Sequence, residues 1–276
     1  MAEKLEGQVV VITGGAGGLG RALAAAFTGA GAKVALLDLD PAGLEQAALA
    51  LETRPLTVAC DVTDAAACAR AVGEVVASLG AVDVLVNNAG ISHRSTFLDT
   101  SDEVLRKVME VNFFGSVNCT RAALPRLLER RGQVVALSSV AGFAPLFGRT
   151  GYAASKHALH GFFDTLRAEL AGSGVNVLVV CPGFIDTPLR RNATDGAGRS
   201  AGQAPVPVGG LLTAGEVAAA IVAGCKARKQ RLVLGGIAKL SFWVSRFAPR
   251  LYEALMRRSQ TREVVPLSPD SGRGPG

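Results

Sequence analysis

The chain has 276 residues, 49% of them apolar, which is long enough for a substantial core and too hydrophobic for a disordered polymer. Its net charge of +6 is local: nine basic residues and one acid, Glu253, fall between Lys226 and Arg258, and no nucleic-acid reading element accompanies them, which excludes a nucleic-acid-binding role. The five cysteines form no C-x-x-C pair, which argues against zinc or a disulfide framework, and Met1–Gln8 lacks the features of a secretory leader; the expectation is reduced thiols in a cytoplasmic protein with no metal.

Short β-branched apolar runs occur at Gln8–Ile12, Lys33–Leu37, Leu56–Ala59, Val82–Val86, Val134–Leu137 and Val175–Val180. Between them lie stretches with helical spacing, among them Arg21–Thr28, Ala65–Leu79, Glu103–Arg130 and Ala153–Leu170. Strand and helix alternating this often predict an α/β fold, a single doubly wound parallel sheet with helices on both faces. The strands are apolar throughout, as sheets covered on both sides require. From Phe184 to Gly210 the composition turns to Gly, Ala, Pro and Arg without periodicity. A loop that long predicts a functional lid, taken here as residues 184–210. The expected organisation is one main domain over 1–236, a basic amphipathic extension over 237–258 and a disordered tail over 259–276.

The first strand runs into Thr13-Gly14-Gly15-Ala16-Gly17-Gly18-Leu19-Gly20 and then a helix. Glycines there let the backbone turn sharply and approach a pyrophosphate at the helix N-terminus, so Gly14, Gly18, Leu19 and Gly20 are candidate cofactor contacts. The second strand ends in Asp38, at the separation expected of an acid that binds the adenosine ribose hydroxyls and repels a 2′-phosphate. With no Lys or Arg at 15–17 to offset it, NAD is the expected cofactor. Asp40-Pro41 could instead serve only to cap the next helix.

Tyr152 and Lys156 are four residues apart on a helical stretch, which stacks them on one face. A phenol titrates near ~10 and is a poor base at neutral pH unless an ammonium stabilises its anion. Ser139 follows the strand Val134–Leu137, and parallel strands present ligand sites at their carboxyl ends. A serine there can equally be a strand-ending turn or cap.

Taken together these residues resemble the short-chain dehydrogenase/reductase family over roughly residues 5–235. The matches occur in the family's order: the glycine turn at 13–20, Asp38, Cys60-Asp61-Val62, Asn87-Asn88-Ala89-Gly90, Asn112 within VNFFG, Ser139, Tyr152-x-x-x-Lys156, and Cys181-Pro182-Gly183 followed by Thr187. The resemblance implies a seven-stranded sheet closed by Arg231–Leu234. It also implies that Tyr152 exchanges a proton with an alcohol oxygen, Lys156 lowers the tyrosine pKa and binds the nicotinamide ribose, and Ser139 orients the substrate oxygen. Asn112 would interrupt its helix and hold a relay water. Asp61 and Val62 would contact adenine, Asn88, Ala89 and Gly90 the cofactor cleft, and Pro182, Gly183, Ile185 and Thr187 the carboxamide and phosphate side. The implied activity is NAD-dependent interconversion of a secondary alcohol and a ketone on a hydrophobic substrate. The continuation past Gly235-Gly236 is similar to the hydroxysteroid and retinol dehydrogenase branches. A 3-oxoacyl thioester reductase and a non-catalytic NAD sensor are the alternatives. The helices over 103–130 and 153–170 commonly pair subunits in this family, which implies a homodimer or homotetramer.

His157 and His160 are expected to face away from the catalytic edge of their helix in surface or helix-packing roles, His93 to be a solvated loop residue, and Asn118 and Cys119 to pack between helices. In the basic extension, Leu240, Trp243, Val244, Phe247, Leu251 and Leu255 recur at helical steps, divided at Pro249. The segment is expected to be a structural lid over the substrate cleft, an oligomer contact or a peripheral membrane contact, and it is too interrupted by charge to span a bilayer.

Overall fold

The computed structural model describes residues 5–202 and 210–260. In chain order the strands are β1 (Val9–Thr13), β2 (Lys33–Asp38), β3 (Leu56–Ala59), β4 (Val84–Asn87), β5 (Gln133–Leu137), β6 (Asn176–Pro182) and β7 (Arg231–Leu234). The helices are α1 (Gly18–Gly29), α2 (Pro41–Leu49), α3 (Ala65–Leu79), α4 (Asp102–Met109), α5 (Gly115–Arg130), α6 (Thr150–Glu169), α7 (Pro188–Arg191), α8 (Ala214–Lys226), α9 (Gly236–Phe247) and α10 (Pro249–Gln260). Every strand pairs in parallel, in the order β3-β2-β1-β4-β5-β6-β7. The seven-stranded, doubly wound sheet expected from the sequence is the one present.

Each strand sorts its side chains by parity. Val11, Leu85, Val134 and Val179 face α3, α5 and α6, where Val72, Leu127 and Phe163 meet them. Val10, Ile12, Val86 and Val135 face the other way, toward Leu23 and Phe27 of α1 and Ile221 of α8. Asp83 fixes the relation of β1 to β4: one carboxylate oxygen accepts the Val9 N–H at 2.8 Å and the other the Arg130 Nε–H at 2.8 Å.

The strand order reverses between β1 and β4, so the loops after them leave in opposite directions and open a cleft at the carboxyl ends. Everything that follows sits along that edge.

One expectation is met and two need correcting. Asn112 does interrupt the helical stretch Glu103–Arg130: α4 and α5 are joined by a π-helical turn, Glu110–Phe114, with Asn112 at its centre. The 184–210 loop contains the short helix α7, and its residues 203–209 lie outside the described residues. Residues 259 and 260, expected in the tail, belong to α10, and residues 261–276 lie outside the described residues. Pro249 does divide the extension, with Ala248 between α9 and α10.

Candidate active site

The glycine turn is built for close approach. Gly14 has a φ of +67°, and a Cβ at Gly20 would lie 2.1 Å from the Gly14 carbonyl oxygen. Gly17 starts α1 with no side-chain cap, which leaves the first turn over Gly18, Leu19 and Gly20 turned toward the cleft as an anion site. Asp38 closes the turn from the tip of β2. Its Oδ2 accepts the Ala16 N–H at 2.9 Å and its Oδ1 the Asp40 N–H at 3.1 Å. Asp40 also caps α2 through the Gly43 N–H at 3.0 Å, so the capping reading and the loop-anchoring role of Asp38 coexist. Arg21, passed over in the sequence, lies beside the turn with its guanidinium on the Ala16 and Gly43 carbonyls.

Across the cleft, the Asn88 side chain donates to the Thr13 and Gly14 carbonyls at 2.8 and 3.1 Å, and the Asn88 and Ala89 amides both donate to Thr13 Oγ1 at 3.0 Å. This ties the end of β4 to the glycine turn. Asn87 points the other way and donates to Thr120 Oγ1 at 2.9 Å, a purely structural bond. Asp61 is exposed, with Oδ1 accepting from the Thr63 amide and hydroxyl at 2.9 and 2.7 Å. Val62 is buried against Gly115, and its carbonyl accepts from Asn118 at 3.0 Å. Beyond β6, the Gly183 N–H donates to Leu234, Ile185 bridges to Leu212, and Thr187 is buried at the start of α7, whose Pro188 leans on Gly18. A glycine cradle where a Cβ would collide, an uncapped helix N-terminus and an acid at the second strand tip suit an adenine dinucleotide.

The reactive groups come from three elements. Ser139 ends β5 and caps the short turn Val140–Gly142 by accepting the Ala141 N–H at 3.2 Å. Its hydroxyl also lies toward the Tyr152 phenol. Burial pushes the Tyr152 phenol above its ordinary pKa, opposed by the Ser139 hydroxyl and by the Arg149 guanidinium. One turn along α6, the buried Lys156 donates from Nζ to the Leu137 carbonyl at 2.7 Å, with Nζ 5.7 Å from the centre of the Tyr152 ring. Burial lowers its ammonium pKa to about 8. Asn112 is fully buried: its Oδ1 accepts the Ile91 N–H at 2.8 Å, and its Nδ2 donates to the Ile91 carbonyl at 3.0 Å and to Ser155 Oγ at 2.9 Å. It locks the loop after Gly90 to α6, and the widened π turn is what brings its amide there.

Two histidines depart from expectation. His93 is completely buried, its Nε2 accepting the Gly151 and Tyr152 amides at 3.0 and 3.3 Å while Nδ1 faces Ser95 Oγ at 3.2 Å. It is the cap of the catalytic helix, a role invisible without knowing that the loop after β4 crosses the start of α6. His160 lies two turns beyond Tyr152 and packs inward, Nε2 2.9 Å from Ser138 Oγ and 3.5 Å from Cys181 Sγ. Burial lowers the pKa of both rings to about 4. His157, by contrast, is exposed, as expected. Cys119 packs as anticipated, its sulfur 3.5 Å from that of Cys68, and all five cysteines are free thiols.

Ser139 stands at the edge of a cavity of about 430 Å³, otherwise largely apolar. Val140 and Phe184 line it from the body, and Leu240, Val244, Leu255 and Met256 from α9 and α10. The basic extension is therefore the roof of this cavity, held also by a bond from the Phe147 N–H to Met256 Sδ at 3.2 Å.

Sheet order, glycine turn and the Ser139–Tyr152–Lys156 arrangement define a dinucleotide-binding oxidoreductase of the Rossmann type. Sequence comparison makes the family definite: the short chain dehydrogenase profile matches residues 8–198, and the chain belongs to the short-chain dehydrogenase/reductase family. Among its relatives are the bovine dehydrogenase/reductase SDR family member 7B, 40% identical over 92% of this chain and 82% of the relative, and the SDR family protein 7-like of Anopheles gambiae, 36% identical over 93% and 84%. Similar solved structures include a short-chain dehydrogenase from Streptomyces avermitilis, with 31% identity, a TM-score of 0.76 and coverage of 92% of this chain and 98% of that one. A 3-ketoacyl-(acyl-carrier-protein) reductase from Brucella melitensis complexed with NADH has 29% identity and a TM-score of 0.75, covering 83% and 96%.

Proposed function

We propose that the chain is an NAD(H)-dependent oxidoreductase interconverting a secondary alcohol and a ketone on an apolar substrate. The observation that carries this reading is the apolar cavity of about 430 Å³ ending at Ser139, whose hydroxyl lies toward the Tyr152 phenol. When bound, the nicotinamide supplies or accepts the hydride. The turn at Gly14, Gly18, Leu19 and Gly20 would hold the diphosphate, Asp38 the adenosine ribose, and Asp61 and Val62 the adenine. Asn88, Ala89, Gly90, Pro182, Gly183, Ile185 and Thr187 would line the remainder, with Tyr152 and Lys156 at the nicotinamide ribose.

In ketone reduction Tyr152 gives its proton to the oxygen that becomes the alcohol, and Ser139 donates a hydrogen bond to the same oxygen. Lys156 opposes the charge left on the phenol, and the proton is returned to Tyr152 from solvent. Alcohol oxidation runs the same transfers backwards. Asp38 supports NAD over NADP, because its carboxylate would repel a 2′-phosphate; Arg21 is engaged with backbone carbonyls rather than directed at that position. The apolar lining supports steroid-, retinoid- or aryl-alcohol-like substrates. The activity of the Brucella relative makes 3-oxoacyl thioesters the second class to assay.

The test is NAD-coupled absorbance against steroids, retinoids, aryl alcohols and β-hydroxyacyl thioesters. Turnover confined to the thioesters would replace the substrate class. Tight NAD binding with no turnover on any class would favour the sensing role and overturn the enzyme reading.

A further inference from the structure

The helical roof has a second apolar side. Phe247 is 79% exposed, Leu240 64%, Trp243 58% and Leu251 56%, on a segment that also contributes exposed Ile237 and Leu255. The Trp243 and Phe247 rings stack on each other at 5.9 Å rather than on the body. A single chain rarely leaves so many large apolar side chains together in water without a partner for them.

Charge indicates what the partner is. Lys239, Arg246, Arg250, Arg257 and Arg258 are exposed along the same two helices, against one acid, Glu253. An apolar helical face flanked by cations, with a tryptophan among the exposed rings, suits the headgroup boundary of an anionic bilayer. A protein partner would gain little from five flexible cations, and a second copy of this chain would set them against one another. Among the described residues no helix is long and apolar enough to cross a membrane, so the contact is along the surface.

The cavity adds an independent observation. Ile237, Leu240 and Leu255 line it and are at the same time exposed on the roof, so its mouth opens through the apolar face. We propose that α9 and α10 dock this face on anionic membrane and set the cavity mouth against the bilayer. The docking itself does not rest on the substrate reading.

Trp243 is the chain's single tryptophan, so its emission reports the face directly. The full chain is titrated with vesicles of phosphatidylcholine, with and without phosphatidylglycerol, at low and high salt, with co-sedimentation in parallel. The expected result is a blue shift and co-sedimentation on the anionic vesicles, weakened by salt. Phe247→Ser with Leu251→Ser, neither lining the cavity, should abolish both. Lys239→Glu with Arg250→Glu, a surface change that spares the apolar packing, should weaken binding at least about tenfold. Absence of binding at low salt overturns the proposal. So does a dimer that Phe247→Ser dissociates in a chain that ignores vesicles, which would assign the face to a second copy. Vesicle binding gained only on removal of residues 261–276 would assign it to the chain's own end and equally overturn it.

Discussion

The Nε2 of His93 accepts the backbone N–H of Tyr152 at 3.3 Å, so a loop histidine from one side of the cleft holds the helix that carries the phenol. The ring is neutral, because an accepting Nε2 cannot be protonated and burial lowers its pKa to about 4. His93→Ala leaves the Gly151 and Tyr152 amides without their acceptor inside the protein, at a cost of about 1–3 kcal/mol in unfolding free energy. As a positioning residue it should lower kcat more than it raises KM, with His93→Gln recovering part of the loss. Urea unfolding and steady-state kinetics measure the two effects. Unchanged kcat would show that the cap is merely structural.

The same burial predicts acid sensitivity. Folded pKa values of about 4 for His93 and His160 lie below the ordinary 6.5. The unfolded chain therefore takes up protons that the folded chain refuses. Their contribution is intact above pH ~6.5 and is lost as pH falls toward about 4, at up to ~1.4 kcal/mol per unit for each ring. Unfolding free energy measured across that window should decline, and His93→Ala should flatten the slope. An unaltered slope in the variant would show that other groups govern it.

Tyr152→Phe keeps the ring and deletes the oxygen that moves the proton. Turnover should fall about 10²–10⁴-fold while cofactor affinity, followed by fluorescence titration, barely changes. Near-parent turnover on a verified substrate would refute the acid/base assignment.

Lys156 loses its charge as pH rises through about 8, because burial penalises the ammonium. Ketone reduction should decline through that value, since the phenol then has no cation to oppose its developing charge. Lys156→Arg, charged throughout, should move the limb to higher pH; Lys156→Met should lower turnover and cofactor affinity together. Profiles of kcat/KM against pH decide it, and a limb that stays in place in the arginine variant assigns it to another group.

NAD should exceed NADP at least tenfold in catalytic efficiency, about 1.4 kcal/mol. Asp38→Ala should narrow the gap by removing both the ribose bonds and the repulsion of a 2′-phosphate, and it should lower affinity for both cofactors because the Ala16 amide loses its anchor. Equal efficiencies in the parent enzyme would remove the argument from charge.

The sheet was legible because its signal is local: six strands end within two residues of where apolar runs predict them, and the seventh falls where the family resemblance puts it. Tyr152, Lys156 and Ser139 were legible because a helix turn and a strand end are short-range geometry. His93 was not, since its partners are 58 and 59 residues away. Helical spacing alone misplaced His160, because the Tyr152 face of α6 is wide enough to include it and what it meets comes from β5 and β6. Periodicity in the extension gave two helices and left open whether they form a lid, an oligomer contact or a membrane contact; the structure shows them roofing the cavity. Which elements roof a cavity depends on how helices after the last strand fold back, and no pattern within them encodes that.

The cleft and the cavity are written in different stretches of chain. The last strand ends at Leu234, and with it every element that shapes the glycine turn, Asp38 and the Tyr152 helix. Most of the cavity's roof comes afterwards, from Gly236 onward. Variation in α9 and α10 can therefore alter what the cavity admits while leaving the dinucleotide cleft untouched, so within one lineage substrate range can drift on a fixed redox engine.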